Sequence, residues 1–161
     1  MIRRRTLLQA GMGLGLAGRF GLAFGQQPQP ITRPIPSSGE AIPVIGMGSS
    51  RTFDVAPDDG TIEQLTEVMR IFFAGRGALV DSSPMYGNAE TILGRVLEAL
   101  GHPAQLFAAT KVWTYGADAG IEQMQESGRR MGVDVFDLMQ IHNLRDWKEH
   151  LPTLRRWKEQ G

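Results

Sequence analysis

The 161 residues are 42% hydrophobic and formally neutral, a composition that suits one domain with a real apolar core. The neutrality hides an asymmetry: residues 1–25 hold four of the 17 basic groups and no acid, which leaves 13 basic against 17 acidic groups for the rest. That balance leaves no basic stripe for nucleic acid, and the lack of cysteine excludes disulfides, thiolate metal sites and thiol catalysis.

The chain opens with a basic start, a weakly apolar middle and a small-x-small end. Arg4, Arg5, Leu7 and Leu8 resemble a twin-arginine export motif, and Ala23–Gly25 offers a cleavage site before Gln26. The stretch from Leu7 to Phe24 is interrupted by Arg19 and falls short of the ~20 consecutive apolar residues of a membrane anchor. Residues 1–25 are therefore expected to be a cleaved signal, the product to be exported to the periplasm, and no membrane anchor to remain. Residues 26–36 carry Pro28, Pro30, Pro34 and Pro36 and read as a proline-rich linker. Ser37–Glu40 reads as a turn between short extended pieces at 33–36 and 41–43, a small hairpin at the front of a domain over residues 37–161.

From Val44 the pattern alternates. An apolar run over 44–48 reads as a strand. Thr61 with Gln64 reads as a capping box opening a helix that places Ile62, Leu65, Met69, Phe72 and Phe73 on one face and stops near Gly75. A strand follows at 78–80 and a helix at 89–100, with Ile92, Leu93, Val96, Leu97 and Leu100 inward. The next strand is 106–112, and a weaker helix covers 121–131. A fourth strand covers 135–141. A fourth helix covers 151–160, with Pro152 in its first turn and Gly161 as its C-cap.

Four successive βα units predict a parallel sheet with right-handed crossovers. A doubly wound open sheet and half of an eight-unit barrel both fit. The glycines at 46 and 48 do not form a G-x-G-x-x-G running straight into a helix, so the dinucleotide fingerprint is missing. Asp81, Lys111 and His142 fall at the ends of three apolar runs, with Tyr86 in the loop after the first. In a barrel such positions share one rim, where the active site is built. Singly, each has a structural reading; together they can move a proton to or from a carbonyl oxygen. Glu90, Asp58 and Asp59 read as helix-start carboxylates, and His102 and His150 as surface residues. There is no G-x-S-x-G elbow, and no histidine cluster for zinc, so no metal is expected.

The phrases IPVIGMGSS, VDSSPMYGNAETILG, AATKVW and DLMQIHN, followed by LPTLRRWKEQG, resemble the N-terminal half of an aldo/keto reductase over about residues 35–161. The resemblance implies a (β/α)8 TIM barrel and the reduction of an aldehyde or ketone to an alcohol by NADPH or NADH. It places Tyr86 as proton donor, with Lys111 lowering the phenol's pKa, Asp81 holding Lys111, and His142 orienting the carbonyl. It further implies cofactor contacts from Asp81, Asn143 and Ser50, and a substrate pocket walled by Trp113, Tyr115 and Phe53. A full barrel needs eight βα units and ~250 residues, and only four units are present here. Three expectations follow: a truncated form of an exported reductase, a half-barrel that self-associates to close, or a non-catalytic exported binding module.

Overall fold

The computed structural model describes residues 29–160. The expected export signal, its cleavage site and the Gly161 cap lie outside the described residues. A two-stranded antiparallel hairpin comes first, β1 (Thr32–Pro34) against β2 (Ala41–Pro43), with Thr32 opposite Pro43. The linker's proline segment thus ends inside a hairpin. Both strands are isolated from the main sheet, where a proline without an N–H costs little.

The main sheet has four parallel strands in chain order: β3 (Met47–Gly48), β4 (Leu79–Asp81), β5 (Phe107–Val112) and β6 (Leu138–Ile141). Helices α1 (Asp59–Ala74), α2 (Ala89–Ala99) and α3 (Ala117–Met131) link them, and α4 (Trp147–Gln160) follows β6. Sequential order without reversal is the pattern of one half of a βα barrel, with all four strand C-termini on one rim. Among the described residues no helix is long and apolar enough to cross a membrane.

The core lies between the helices and one face of the sheet. Met69, Ile92, Leu93, Val96, Leu97 and Val80 are fully buried there, with Phe53 and Met131 beside them. Each such side chain contributes about 1.5–3 kcal/mol through removal of apolar surface from water. Val80, Ala108, Thr110 and Val112 alternate onto this helix-covered face; Asp81, Ala109 and Lys111 alternate onto the other.

Several boundaries differ from the periodic pattern, each for a local reason. The cap of α1 is Asp58, whose carboxylate accepts the Thr61 N–H at 2.9 Å, so the helix starts ahead of the Thr61 box. The run at 44–48 is shared: the Val44 N–H bonds the Ile31 carbonyl in the hairpin, leaving two residues for β3. Helix α3 begins four residues before its first large apolar side chain, because Gly116 adopts φ +84° and turns the chain in. Val135 is exposed, and β6 starts only at Leu138. Helix α4 starts at Trp147 rather than Leu151. This places Pro152 in its second turn, where it removes one N–H from the helical ladder.

Candidate functional site

The sheet register decides which side chains meet. Asp81 lies opposite Ala109, and Lys111 opposite Gln140, so Asp81, Lys111 and Gln140 share the face turned away from the helices. The Lys111 ammonium donates to Asp81 Oδ2 at 2.6 Å and to the Ser82 carbonyl at 2.7 Å. Lys111 is 8% exposed, so this charge is desolvated and needs both partners. Gln140 donates from Nε2 to Asp81 Oδ1 at 2.9 Å, and the carboxylate is held at both oxygens. Beneath it, the Ser49 hydroxyl donates to the Asp81 carbonyl and contacts Ser82 Oγ, each at 2.9 Å.

Tyr86 and His142 close over this pair. Their rings meet edge to face with centroids 5.7 Å apart, and Lys111 Nζ lies 5.4 Å from the Tyr86 ring centre. His142 Nδ1 lies 2.9 Å from Ser83 Oγ. Burial pushes the Tyr86 phenol up from its ordinary pKa, and the Asp81 charge adds to the rise. Lys111, expected to lower this pKa, has its ammonium hydrogen-bonded to Asp81 and the Ser82 carbonyl, and the net direction is upward. His142 is pushed down, first by burial and then by the Lys111 charge, with Asp81 opposing. Both shifts favour the uncharged forms, a neutral phenol beside a neutral imidazole.

Trp113 stands next to this group, its ring centre 6.4 Å from that of His142. Gln123 clamps its backbone, accepting the Trp113 N–H at 2.6 Å and donating to its carbonyl at 3.3 Å. Tyr115 is largely exposed, and Arg145 lies against both rings. Ser50 and Asn143 are exposed at the rim, with Asn143 in the left-handed region at φ +55°. An exposed amide directly after His142 and an exposed hydroxyl across the rim fit the carboxamide end of a nicotinamide, which needs both donors and acceptors. Phe53 is a correction. It is fully buried in the core cluster, because a turn closed by its N–H to the Ser49 carbonyl tucks the ring inward, so it is no pocket wall.

Two further residues depart from expectation. Glu90 is a buried carboxyl rather than a simple helix-start charge: Thr110 Oγ1 donates to it at 2.7 Å and Ser127 Oγ at 3.1 Å. Burial holds its pKa above the usual carboxylate range. His150 is also buried, with Nε2 3.1 Å from the Thr114 carbonyl and its ring packed on Gly120. Gln140, Ser83 and Arg145 were not singled out by sequence reasoning. The signal for Gln140 was available in retrospect: a polar residue two before His142 on a strand points to the same face.

A cavity of about 1050 Å³ lies between α3, α4 and the start of β6, lined by Phe136, Leu154 and Trp157 among others. Its lining includes none of Asp81, Tyr86, Lys111 and His142. Among the described residues no group of three potential ligands is placed to hold a metal ion.

Comparison with known proteins gives one consistent result. The family model described as "Aldo/keto reductase family" matches residues 44–159. An aldo-keto reductase of Mycobacterium ulcerans is 38% identical over 104 residues, covering 63% of this chain and 34% of the relative. A solved aldo-keto reductase structure from Pseudomonas aeruginosa shares the fold with TM-score 0.69 at 22% identity, covering 81% of this chain and 55% of that one. A Bombyx mori aldo-keto reductase, solved in complex with NADP, matches with TM-score 0.55 at 23% identity, over 71% of this chain and 38% of that one. The chain spans about a third of the length of the curated relatives it matches.

Proposed function

The chain belongs to the aldo/keto reductase family, and we propose that its rim serves the reduction of an aldehyde or ketone to an alcohol, with NADPH, or in its place NADH, as the hydride source. The observation that carries this reading is the desolvated Lys111–Asp81 pair, 2.6 Å apart, with the Tyr86 and His142 rings edge to face above it. Such a pair leaves a fixed positive charge beside a neutral phenol, and charge develops on a carbonyl oxygen as it is reduced.

Each residue then has a defined task. The Tyr86 hydroxyl gives its proton to the carbonyl oxygen, and its raised pKa keeps that proton in place until the oxygen becomes basic. Lys111 stabilises the phenolate left behind. Asp81, gripped by Gln140 and Lys111, holds the ammonium in position. Ser83 Oγ lies 2.9 Å from His142 Nδ1, and in the tautomer that carries its proton on Nε2 the serine donates to Nδ1 and the Nε2 proton is free to hydrogen-bond the carbonyl. Asn143, Ser50 and Asp81 line the side where the nicotinamide would lie, and Trp113 and Tyr115 form the apolar wall. The bound cofactor supplies hydride chemistry; the chain supplies orientation and the proton.

The intact acid–base group favours this reading over a non-catalytic binding module. Consumption of NADPH with a panel of aldehydes tests it, and Y86F is expected to lower kcat at least ~100-fold by removing the acid. Failure of NADPH to bind at millimolar concentration in isothermal titration would sink catalysis by this chain. The basic N-terminus supports export by the twin-arginine route, which cell fractionation of a tagged chain, with Arg4 and Arg5 changed to Lys as control, decides.

A further inference from the structure

Arg145 is a cation beside the rim that the proposed chemistry does not use. Its guanidinium carbon lies 3.8 Å from the centre of the Trp113 ring and 4.9 Å from that of Tyr115. A planar guanidinium on an indole face is a held cation, because the ring's negative face attracts it while its edge N–H groups stay free. Among the described residues no carboxylate oxygen lies within 4.0 Å of its nitrogens, and its side chain donates no hydrogen bond. The nearest acid in sequence, Asp146, is turned to the Gly116 N–H at 2.7 Å.

The backbone fixes this placement. Leu144 and Asp146, on either side of Arg145, both sit in the left-handed region at φ +52° and +49°, as does Asn143. Non-glycine residues there are strained and persist only where the surroundings enforce it. The Arg145 N–H bonds the His142 carbonyl at 3.1 Å, which ties the arginine to the residue that faces the carbonyl. The Asp146 carboxylate anchors the same loop to the start of α3.

We infer that Arg145 is a specificity-determining residue that binds a carboxylate on the substrate, so the favoured substrates are aldehydes or ketones that carry an acid group a short chain away from the carbonyl. This deepens the reductase reading and rests on it. Trp113 bridges the two ends: one face carries Arg145, and the ring stands 6.4 Å from His142. A carbonyl at Tyr86 and His142 therefore leaves the rest of its molecule running along the indole towards the guanidinium. A bidentate carboxylate would take up donors that have no partner among the described residues.

The test compares 4-oxobutanoate with butanal, an acid and a neutral aldehyde of equal chain length, on the full chain and on R145L and R145K. The expected result is that R145L loses about 10- to 100-fold in kcat/KM for 4-oxobutanoate, the range for a lost hydrogen bond to a charged group, while butanal is unaffected. R145K, which keeps charge but not the fork, falls between. Equal losses for both aldehydes would make Arg145 a loop staple and overturn the inference, as would equal turnover of both by the wild type. NADPH affinity, followed by its fluorescence, is expected to be the same in R145L and wild type. A parallel loss there would assign the arginine to the cofactor's phosphates instead. If neither aldehyde is turned over, the reductase reading fails separately, and quenching of tryptophan emission by 4-oxobutanoate still decides: saturable in wild type and absent in R145L supports the anion site, identical in both refutes it.

Discussion

Asp81 is the residue on which most of the rim depends, because its two oxygens have different partners. Oδ2 takes Lys111 and Oδ1 takes Gln140. Gln140→Leu would leave Oδ1 without its donor and let the carboxylate rotate. The expected outcome is a kcat loss of about 10-fold, the scale of one hydrogen bond to a charged group, with KM little changed, read from steady-state kinetics of the two proteins. Tyr86 allows a test without substrate. The chain has two tyrosines, so Tyr115→Phe leaves Tyr86 as the only phenol. Its tyrosinate absorbance is expected to titrate above the ordinary value of about 10, since burial and Asp81 both disfavour the anion. Asp81→Asn removes the repelling charge and is expected to move the midpoint down; an unchanged midpoint would leave burial as the whole cause. The candidate acid–base residues were legible because Asp81, Lys111 and His142 end apolar runs, a pattern tied to one rim. Ser83 was not legible, because its role needs the fold of the loop after β4, and Gln140, though its place two before His142 hints at its face, finds its partner only through the cross-strand register. Phe53 and His150 were misread for the opposite reason: an aromatic or histidine in a loop or helix start shows no periodic sign of facing inward.

At the level of elements, α2 and α3 are held together by features that periodicity does not display. Gly94 lies so close to α3 that an added Cβ would sit 1.9 Å from the Arg130 carbonyl oxygen. That atom is backbone and cannot swing aside, so Gly94→Ala is expected to cost about 3 kcal/mol or more, the upper part of the overpacking range, measured by urea unfolding. Glu90 joins the same two helices to β5 through Thr110 and Ser127. Its folded pKa is raised by burial, so the folded chain holds this proton more tightly than the unfolded chain. The contribution of Glu90 is then fully present below the unfolded value of about 4.3 and declines as pH rises through the folded one. Glu90→Gln keeps an uncharged acceptor and is expected to lose that decline, so the gap between mutant and wild type should shift in the mutant's favour as pH is raised. Parallel curves would show that Glu90 does not titrate differently on folding. Elements were readable from apolar period, and their ends were not. Asp58 outcompetes Thr61 as a cap because its carboxylate reaches the Thr61 N–H, and Gly116 opens α3 through a positive φ that no hydrophobic pattern records.

For the whole molecule, the parallel order β3-β4-β5-β6 leaves β3 and β6 as the two edges of the main sheet. Both edges carry exposed apolar side chains: Val44 and Ile45 next to β3, Val135 and Leu138 at β6. Unpaired parallel edges are templates for another strand. Two copies related by a twofold axis can set β3 of each beside β6 of the other. Eight parallel strands would then close in one ring, with no edge left and both candidate acid–base groups on the same rim. The order of the strands is what makes this arrangement available, since a doubly wound sheet would place its first strand inside. Sedimentation equilibrium is therefore expected to show a concentration-dependent dimer. Leu138→Lys alone is expected to return it to monomer, because the twofold repeats each edge contact and one charge per chain disrupts both. Ile45→Lys, on the opposite edge, is expected to do the same. A substitution on the solvent face of α1, such as Glu67→Lys, serves as the control. Dissociation by one edge variant and not the other would point to a self-complementary contact through a single edge rather than to ring closure, and a monomer at every concentration would leave the edges to be covered by something other than a second copy.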